Sequence, residues 1–355
     1  MTRGAVARSG AWTYDARERV ARGRGLRVTY VSRADVKFMH DEIFERECYA
    51  RRDDDDGARA PMKRVVDVGA NIGMSALWFA ARAEVVIACE PIPRTHAALV
   101  ENLGASANRG GPTTTRDAAR SVGVRGVEIR GAEGDGRGMA TVFAHDVGVG
   151  ARAAEAAEFV EFPRAAGWGT TTRARDDEET TENLIAYVMD ALTGGDGGDD
   201  GLESNVVVGA GRWLRARVVD DDDDENATPL RRLASVVASF VLRVVVRCVA
   251  AYMLSGARVV KRPVVTVSDL IEKHGLDSVD LLKIDVERAE LDVLNGVDDR
   301  DWSKIQRVHL ECHDSNFDRA VDLLKSKGAF DVVRVDALFG SARLRNIRAS
   351  RRVAS

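Results

Sequence analysis

The stretch that decides the fold runs Lys63-Arg64-Val65-Val66-Asp67-Val68-Gly69-Ala70-Asn71-Ile72-Gly73. Val65, Val66 and Val68 make a short β-branched run, the mark of a strand buried on both faces. Small residues follow at once, and Met74 to Ala81 has the composition of a helix. A strand, a glycine turn and a helix build a nucleotide-type cofactor site, because small residues let the backbone come close to a ligand and the helix start adds a favourable dipole. Asp67 narrows the cofactor. A dinucleotide would set its pyrophosphate against that carboxylate, whereas the ammonium and sulfonium of S-adenosylmethionine suit one. The spacing Gly69-x-x-x-Gly73 also differs from the Gly-x-Gly-x-x-Gly of dinucleotide sites.

The next apolar run, Val85 to Cys89, ends in Glu90-Pro91, twenty-one residues after Gly69. An acidic side chain at that strand end is placed to accept hydrogen bonds from two ribose hydroxyls. The predicted cofactor set is therefore Asp67, Gly69, Ala70, Asn71, Gly73, Glu90 and Pro91. Gly126 to Arg130 reads as the third strand, and the turn after it, containing Glu133 and Asp135, stands where this fold contacts the adenine amine. Met139 to Ala144 reads as an edge strand.

Asp-Val-Gly-Ala-Asn-Ile-Gly followed by Cys-Glu-Pro-Ile-Pro resembles the FkbM-type methyltransferases. A second block, Val279-Asp-Leu-Leu-Lys-Ile-Asp-Val-Glu-Arg-Ala-Glu290, is similar to that family's other diagnostic stretch, and Glu311-Cys-His313-Asp follows in order. The resemblance implies a doubly wound, Rossmann-like α/β sheet and methyl transfer from S-adenosylmethionine to an oxygen. The acceptor it implies is a small-molecule or glycolipid hydroxyl, on a sugar, lipid or secondary metabolite. It also implies that the helix from Val36, with Phe38, Ile43, Phe44 and Tyr49 at helical intervals, precedes the first strand and caps the pocket. One departure stands out, since Arg288 occupies a position where the family usually has glycine.

The residues from 279 to 313 carry the expected chemistry. The buried run Leu281-Leu-Lys-Ile delivers Asp285 to a strand end, with Glu287 and Glu290 just beyond, and the strand from Gln306 brings Glu311 and His313 to the same cleft. Like charges so close raise one another's pKa, a requirement of a general base rather than of decoration. Asp285 is the first candidate for the base, with Glu287, Glu311 and His313 behind it. The chemistry requires no metal.

Lys plus Arg is 52 and Asp plus Glu 56, a net charge of −4, so nothing draws the whole chain to nucleic acid. No Asn/Asp-Pro-Pro-Tyr motif of nucleic-acid methylases is present. Cys48, Cys89, Cys248 and Cys312 are far apart, which suggests neither zinc nor a disulfide framework and favours a reducing, cytoplasmic setting. The expected organisation is a basic flexible arm over 1–35, the cofactor half of the core over 36–146, a low-complexity insertion over 147–258, the second half over 259–340 and a basic disordered tail over 341–355. The Gly/Asp runs at 176–179, 194–201 and 220–225 carry too little apolar surface to order. Within the insertion, Leu233 to Leu254 is long enough to span a membrane, but Arg243 and Arg247 sit in its middle. An amphipathic helix on the core or on a membrane surface fits better. The alternative function is a non-catalytic S-adenosylmethionine-binding or membrane-surface protein, with an oxidoreductase third.

Overall fold

The β-branched run at Val65 to Val68 forms β4 (Arg64–Val68), and the rest of the molecule is laid out on either side of it. The computed structural model describes residues 12–50, 62–105, 108, 113–118, 126–131, 140–163, 170–171, 229–330, 332–338 and 341–351. Three short strands come first, β1 (Thr13–Asp15), β2 (Val20–Gly23) and β3 (Leu26–Thr29), then helix α1 (Arg33–His40) and a wide π turn over Asp41–Glu45. After β4 come α2 (Met74–Ala80), β5 (Val85–Cys89), α3 (Pro93–Gly104), β6 (Thr113–Ala118), β7 (Gly126–Gly131) and β8 (Thr141–His145). A second group holds β9 (Gly148–Val149), β10 (Ala154–Glu161), β11 (Thr170–Thr171), helix α4 (Pro229–Leu254) and β12 (Arg258–Val265). The chain then returns through α5 (Val267–Lys273), β13 (Leu281–Ile284), α6 (Glu290–Asn295), β14 (Arg307–His313), α7 (Phe317–Ser326), β15 (Val332–Leu338) and β16 (Ser341–Ser350).

The main sheet is mixed, with nine strands in the order β15-β16-β14-β13-β4-β5-β8-β7-β6. Its five central strands, β14 to β8 in that order, are parallel, and an antiparallel pair flanks them on each edge. Strand alternation sends Val66, Val68, Ile87, Leu282 and Ile284 into one apolar layer with α5, α6 and α7. Val65, Val86, Ala88 and Leu281 enter the other with α2 and α3. The chain runs outward from β4 through β5 to β8, then comes back to place β13 on β4's other side. The order therefore reverses between β4 and β13, and in open α/β sheets the crevice beyond the carboxyl ends of such a pair is where ligands bind.

Four expectations change. Trp12 to Tyr30, read as flexible arm, is an antiparallel three-stranded sheet that buries Trp12, Val20, Ala21, Val28 and Tyr30. Its arginines hid the pattern because they are paired outward, Arg24 to Glu45 at 2.7 Å and Arg27 to Glu101 at 3.2 Å. Arg24 and Gly25 both have positive φ, the conformation a tight hairpin turn requires. Residues 341–350, read as a disordered tail, are β16, whose Leu344, Ile347 and Ala349 point into the core. Val147 to Glu161, assigned to the insertion, is ordered, since β10 pairs with β12 and β12 with β9 in a small second sheet. Finally, β8 is an interior parallel strand rather than an edge, and the β6–β7 hairpin forms the edge outside it. The Gly/Asp runs and residues 1–11 lie outside the described residues.

Helix α4 buries Val246 and Ala250 and packs Met253 and Leu254 against Val160 and Phe162 of the small sheet. Its other side exposes Val237, Phe240, Val241, Val244 and Tyr252. Among the described residues no helix is long and apolar enough to cross a membrane.

Because β16 lies hydrogen-bonded between β14 and β15, truncation after Gly340 should abolish the cooperative thermal transition followed by circular dichroism. A dispensable tail would instead leave the melting curve unchanged.

Candidate active site

Lys283 sits at the centre of the crevice. It faces Asp67 across the β13–β4 register, and its ammonium lies 3.1 Å from Asp67 Oδ1 and 3.3 Å from Asp285 Oδ2. It also donates to the Gly69 carbonyl at 2.7 Å. Burial alone would lower the lysine pKa, but the Asp285 and Asp67 carboxylates outweigh it and hold the pKa above the ordinary lysine value. Asp67 is fully buried and also accepts from Ser75 Oγ at 2.7 Å. It is not among the residues that line the cavity, and the cation its carboxylate meets is Lys283.

The glycine turn is shaped by close approach. Gly69 has φ +76°, and a Cβ there would lie 1.8 Å from the Asp285 carbonyl oxygen. Gly73 has φ +89° at the start of α2, where a Cβ would lie 2.6 Å from Leu99 Cδ1. Gly69 and Ala70 donate to the Cys89 carbonyl, both at 3.0 Å, so β4 and β5 leave the sheet together. Glu90 then turns back over the loop. Its two oxygens accept from the Asn71 and Ile92 backbone N–H groups at 3.0 and 2.9 Å. Burial pushes its pKa up to about 7, against the pull of those two hydrogen bonds and of Lys283.

A cavity of about 380 Å³ opens at these strand ends. Gly69, Asn71, Glu90 and Pro91 line one side of it, and Asp285 and Glu287 another. The small sheet supplies the remaining wall through Gly148, Phe159 and Val264. Ala70 and Gly73 shape the turn without lining the cavity. Glu133 and Asp135 lie outside the described residues. Val147 and Gly148, which follow β8, also line the cavity.

The four candidate catalytic residues divide. Asp285 is 42% exposed and reaches the cavity, as does Glu287. His313 is buried behind Glu287, its Nε2 3.2 Å from a Glu287 oxygen and its Nδ1 against Glu290. Burial lowers its pKa, but the two carboxylates overturn this and raise it to about 11, so the imidazole is charged at neutral pH. Glu311 is half-buried and off the cavity wall. Burial, then the Asp285 and Glu42 charges, raises its pKa well above the usual carboxylate value. Among the described residues no group of three His, Cys, Asp or Glu side chains is arranged to hold a metal ion.

Arg288 adopts φ +66°, the left-handed conformation that glycine takes without strain. Its guanidinium reaches Ser315 Oγ at 3.3 Å, and the residue does not line the cavity, so it leaves the pocket open. Three participants escaped the sequence reading. Lys283 was readable in principle, because a lysine inside a run buried on both faces demands a carboxylate partner. Glu290, named in the sequence only as lying just beyond Asp285 and given no role, is fully buried and bonded to Asn316 and His313. Glu42 lies on the π turn, where burial and then Asp285 raise its pKa to about 7.

Residues 67–330 match the model of the methyltransferase FkbM domain. The chain belongs to that family. Over 325 residues, 88% of this chain, it is 28% identical to the AMB antimetabolite synthetase AmbE of Pseudomonas aeruginosa, of which it covers 12%. Over 94 residues, 26% of this chain, it is 38% identical to the 31-O-demethyl-FK506 methyltransferase FkbM of Streptomyces tacrolimicus, covering 36% of that protein. Over 59 residues, 16% of this chain, it is 51% identical to Methyltransferase 1 of Beauveria bassiana, covering 24% of it. The chain thus spans between about an eighth and about a third of the length of these relatives. No solved structure matches it.

The His313 charge sets a sign for stability. Its folded pKa of about 11 exceeds the unfolded value of 6.5, so its contribution is complete below pH 6.5 and is lost as pH rises toward 11. Between about pH 8 and pH 10, denaturant unfolding of the parent should lose free energy more steeply than His313→Gln, by up to about 1.4 kcal/mol per pH unit. Parallel slopes would remove the charged imidazole.

Proposed function

We propose that this chain is a doubly wound, Rossmann-like methyltransferase core that transfers a methyl group from S-adenosylmethionine to a hydroxyl. The observation that carries this is the single cavity with Glu90 on one side and Asp285 with Glu287 on the other. Its volume falls within the roughly 300–1,000 Å³ of small-molecule sites. The donor set suits the cofactor, because Glu90 keeps unused lone pairs on both oxygens for ribose hydroxyls, and the Gly69 turn leaves the backbone bare beside it. When bound, S-adenosylmethionine supplies an electrophilic methyl that needs no further activation.

The remaining work falls to this chain. Glu90 would hold the ribose, and the turn at Gly69 and Asn71 would lie beside it. Asp285, oriented by Lys283 at 3.3 Å, accepts the acceptor's hydroxyl proton as the oxygen attacks. The small sheet walls the cavity through Gly148, Phe159 and Val264, and holding the two reactants in line contributes most of the rate. The relative whose printed name specifies a 31-O-demethyl substrate supports oxygen as the acceptor atom. Among hydroxyl acceptors, the exposed apolar stripe of α4 supports one presented at a lipid surface.

Two substitutions split the roles. Asp285→Asn should keep cofactor affinity in calorimetry yet lower turnover by roughly two to four orders of magnitude, the range for a lost general base. Glu90→Ala should weaken cofactor binding instead. Unchanged turnover in Asp285→Asn, with labelled S-adenosylmethionine and a cell extract as acceptor source, would take Asp285 out of the chemistry.

A further inference from the structure

Behind the cavity wall lies a chain of buried charges that the methyl-transfer scheme does not use. Glu287 lines the cavity, His313 Nε2 stands 3.2 Å behind it, and His313 Nδ1 meets Glu290 on its far side. Glu290 is itself fixed, accepting from the Asn316 amide and from the Arg288 backbone N–H at 3.2 Å. His313 and Glu290 are fully or nearly fully buried, and the three side chains come from β14, α6 and the loop between β13 and α6. Such an arrangement is costly to bury unless every charge is matched, and here one imidazolium answers two carboxylates.

We propose that His313 is a positioning residue, clamped by Glu290, that holds Glu287 as an ionised, fixed hydrogen-bond acceptor on the cavity wall, where it orients the acceptor hydroxyl beside Asp285. This rests on the methyl-transfer reading above. The charged neighbours of Glu287 make its ionisation precarious without the histidine. Burial raises its pKa first, His313 pulls it down, and Asp285 and Glu290 push it up again, so that its pKa stands above the ordinary carboxylate value and His313 is what limits the rise. Glu311 on β14 adds another carboxyl within electrostatic reach, its own pKa raised by burial and then by Asp285, Glu42 and Glu287. Remove the imidazolium, and Glu287 becomes a neutral acid that donates where it should accept.

The geometry gives two substitutions opposite signs. In His313→Gln, Glu287 loses its cation, so the acid limb of the turnover profile should move to higher pH by about one unit or more. In Glu290→Gln, Glu287 loses a like-charged neighbour and keeps the imidazolium to itself, so the same limb should move to lower pH. Simple damage to packing would lower turnover across the profile and move neither limb. The measurement is turnover against pH for parent and both variants at saturating S-adenosylmethionine, with cofactor affinity measured alongside. If His313→Gln does not fold, the Glu290→Gln shift alone decides. An acid limb that stays in place in the folded variants, or moves the same way in both, overturns the role of His313. A parent with no methyl transfer to any fraction of a cell extract would instead overturn the underlying reading.

Discussion

The structure depends on one buried cation. The Lys283 ammonium meets Asp67, Asp285 and the carbonyls of Gly69 and Val68, and each of these belongs to a part of the crevice that must be held. Asp67 fixes it to β4, Gly69 ties it to the glycine turn, and Asp285 brings it to the cavity. A lysine and a carboxylate taken out of water together gain little net stability over an apolar pair. What they supply is position. The register of β13 on β4 cannot slip by a residue without turning Lys283 and Asp67 to opposite faces.

That constraint explains how the site sorts its carboxylates. Asp67 answers Lys283 from within the core, Glu90 is held by two backbone N–H groups, and Glu287 is answered by His313. Burial pushes the pKa of Glu42, Glu90, Glu287 and Glu311 upward all the same. The result is a crevice with many carboxyl groups, none of which is placed as a metal ligand set among the described residues.

Much of this was legible in the sequence because it is carried by local pattern. Val65, Val66 and Val68 with Gly69 and Gly73 gave the strand and turn, and Leu281 to Ile284 placed Asp285 at a strand end. Family membership follows from the same two blocks. What was not legible depended on partners far away in the chain. Arginines at 24, 27, 345 and 351 read as basic tails, yet Arg24 pairs with Glu45, Arg345 with Asp314, and Arg351 donates to the Trp302 carbonyl. The order of β7 and β8 was also hidden, because a strand's period does not reveal whether it runs parallel or antiparallel to its neighbour. Asp67 shows the limit most plainly, since a strand-end carboxylate looks the same in sequence whether it meets a ligand or a buried lysine.

The most direct measurement is the unfolding free energy of Lys283→Met in the absence of any ligand. Methionine fits the volume but leaves Asp67 buried without its cation. A loss of about 3–5 kcal/mol, the cost of breaking a buried ion pair by removing one partner, is the expected result. A loss below about 1 kcal/mol, in the range of an exposed pair, would mean that Lys283 does not hold the crevice together.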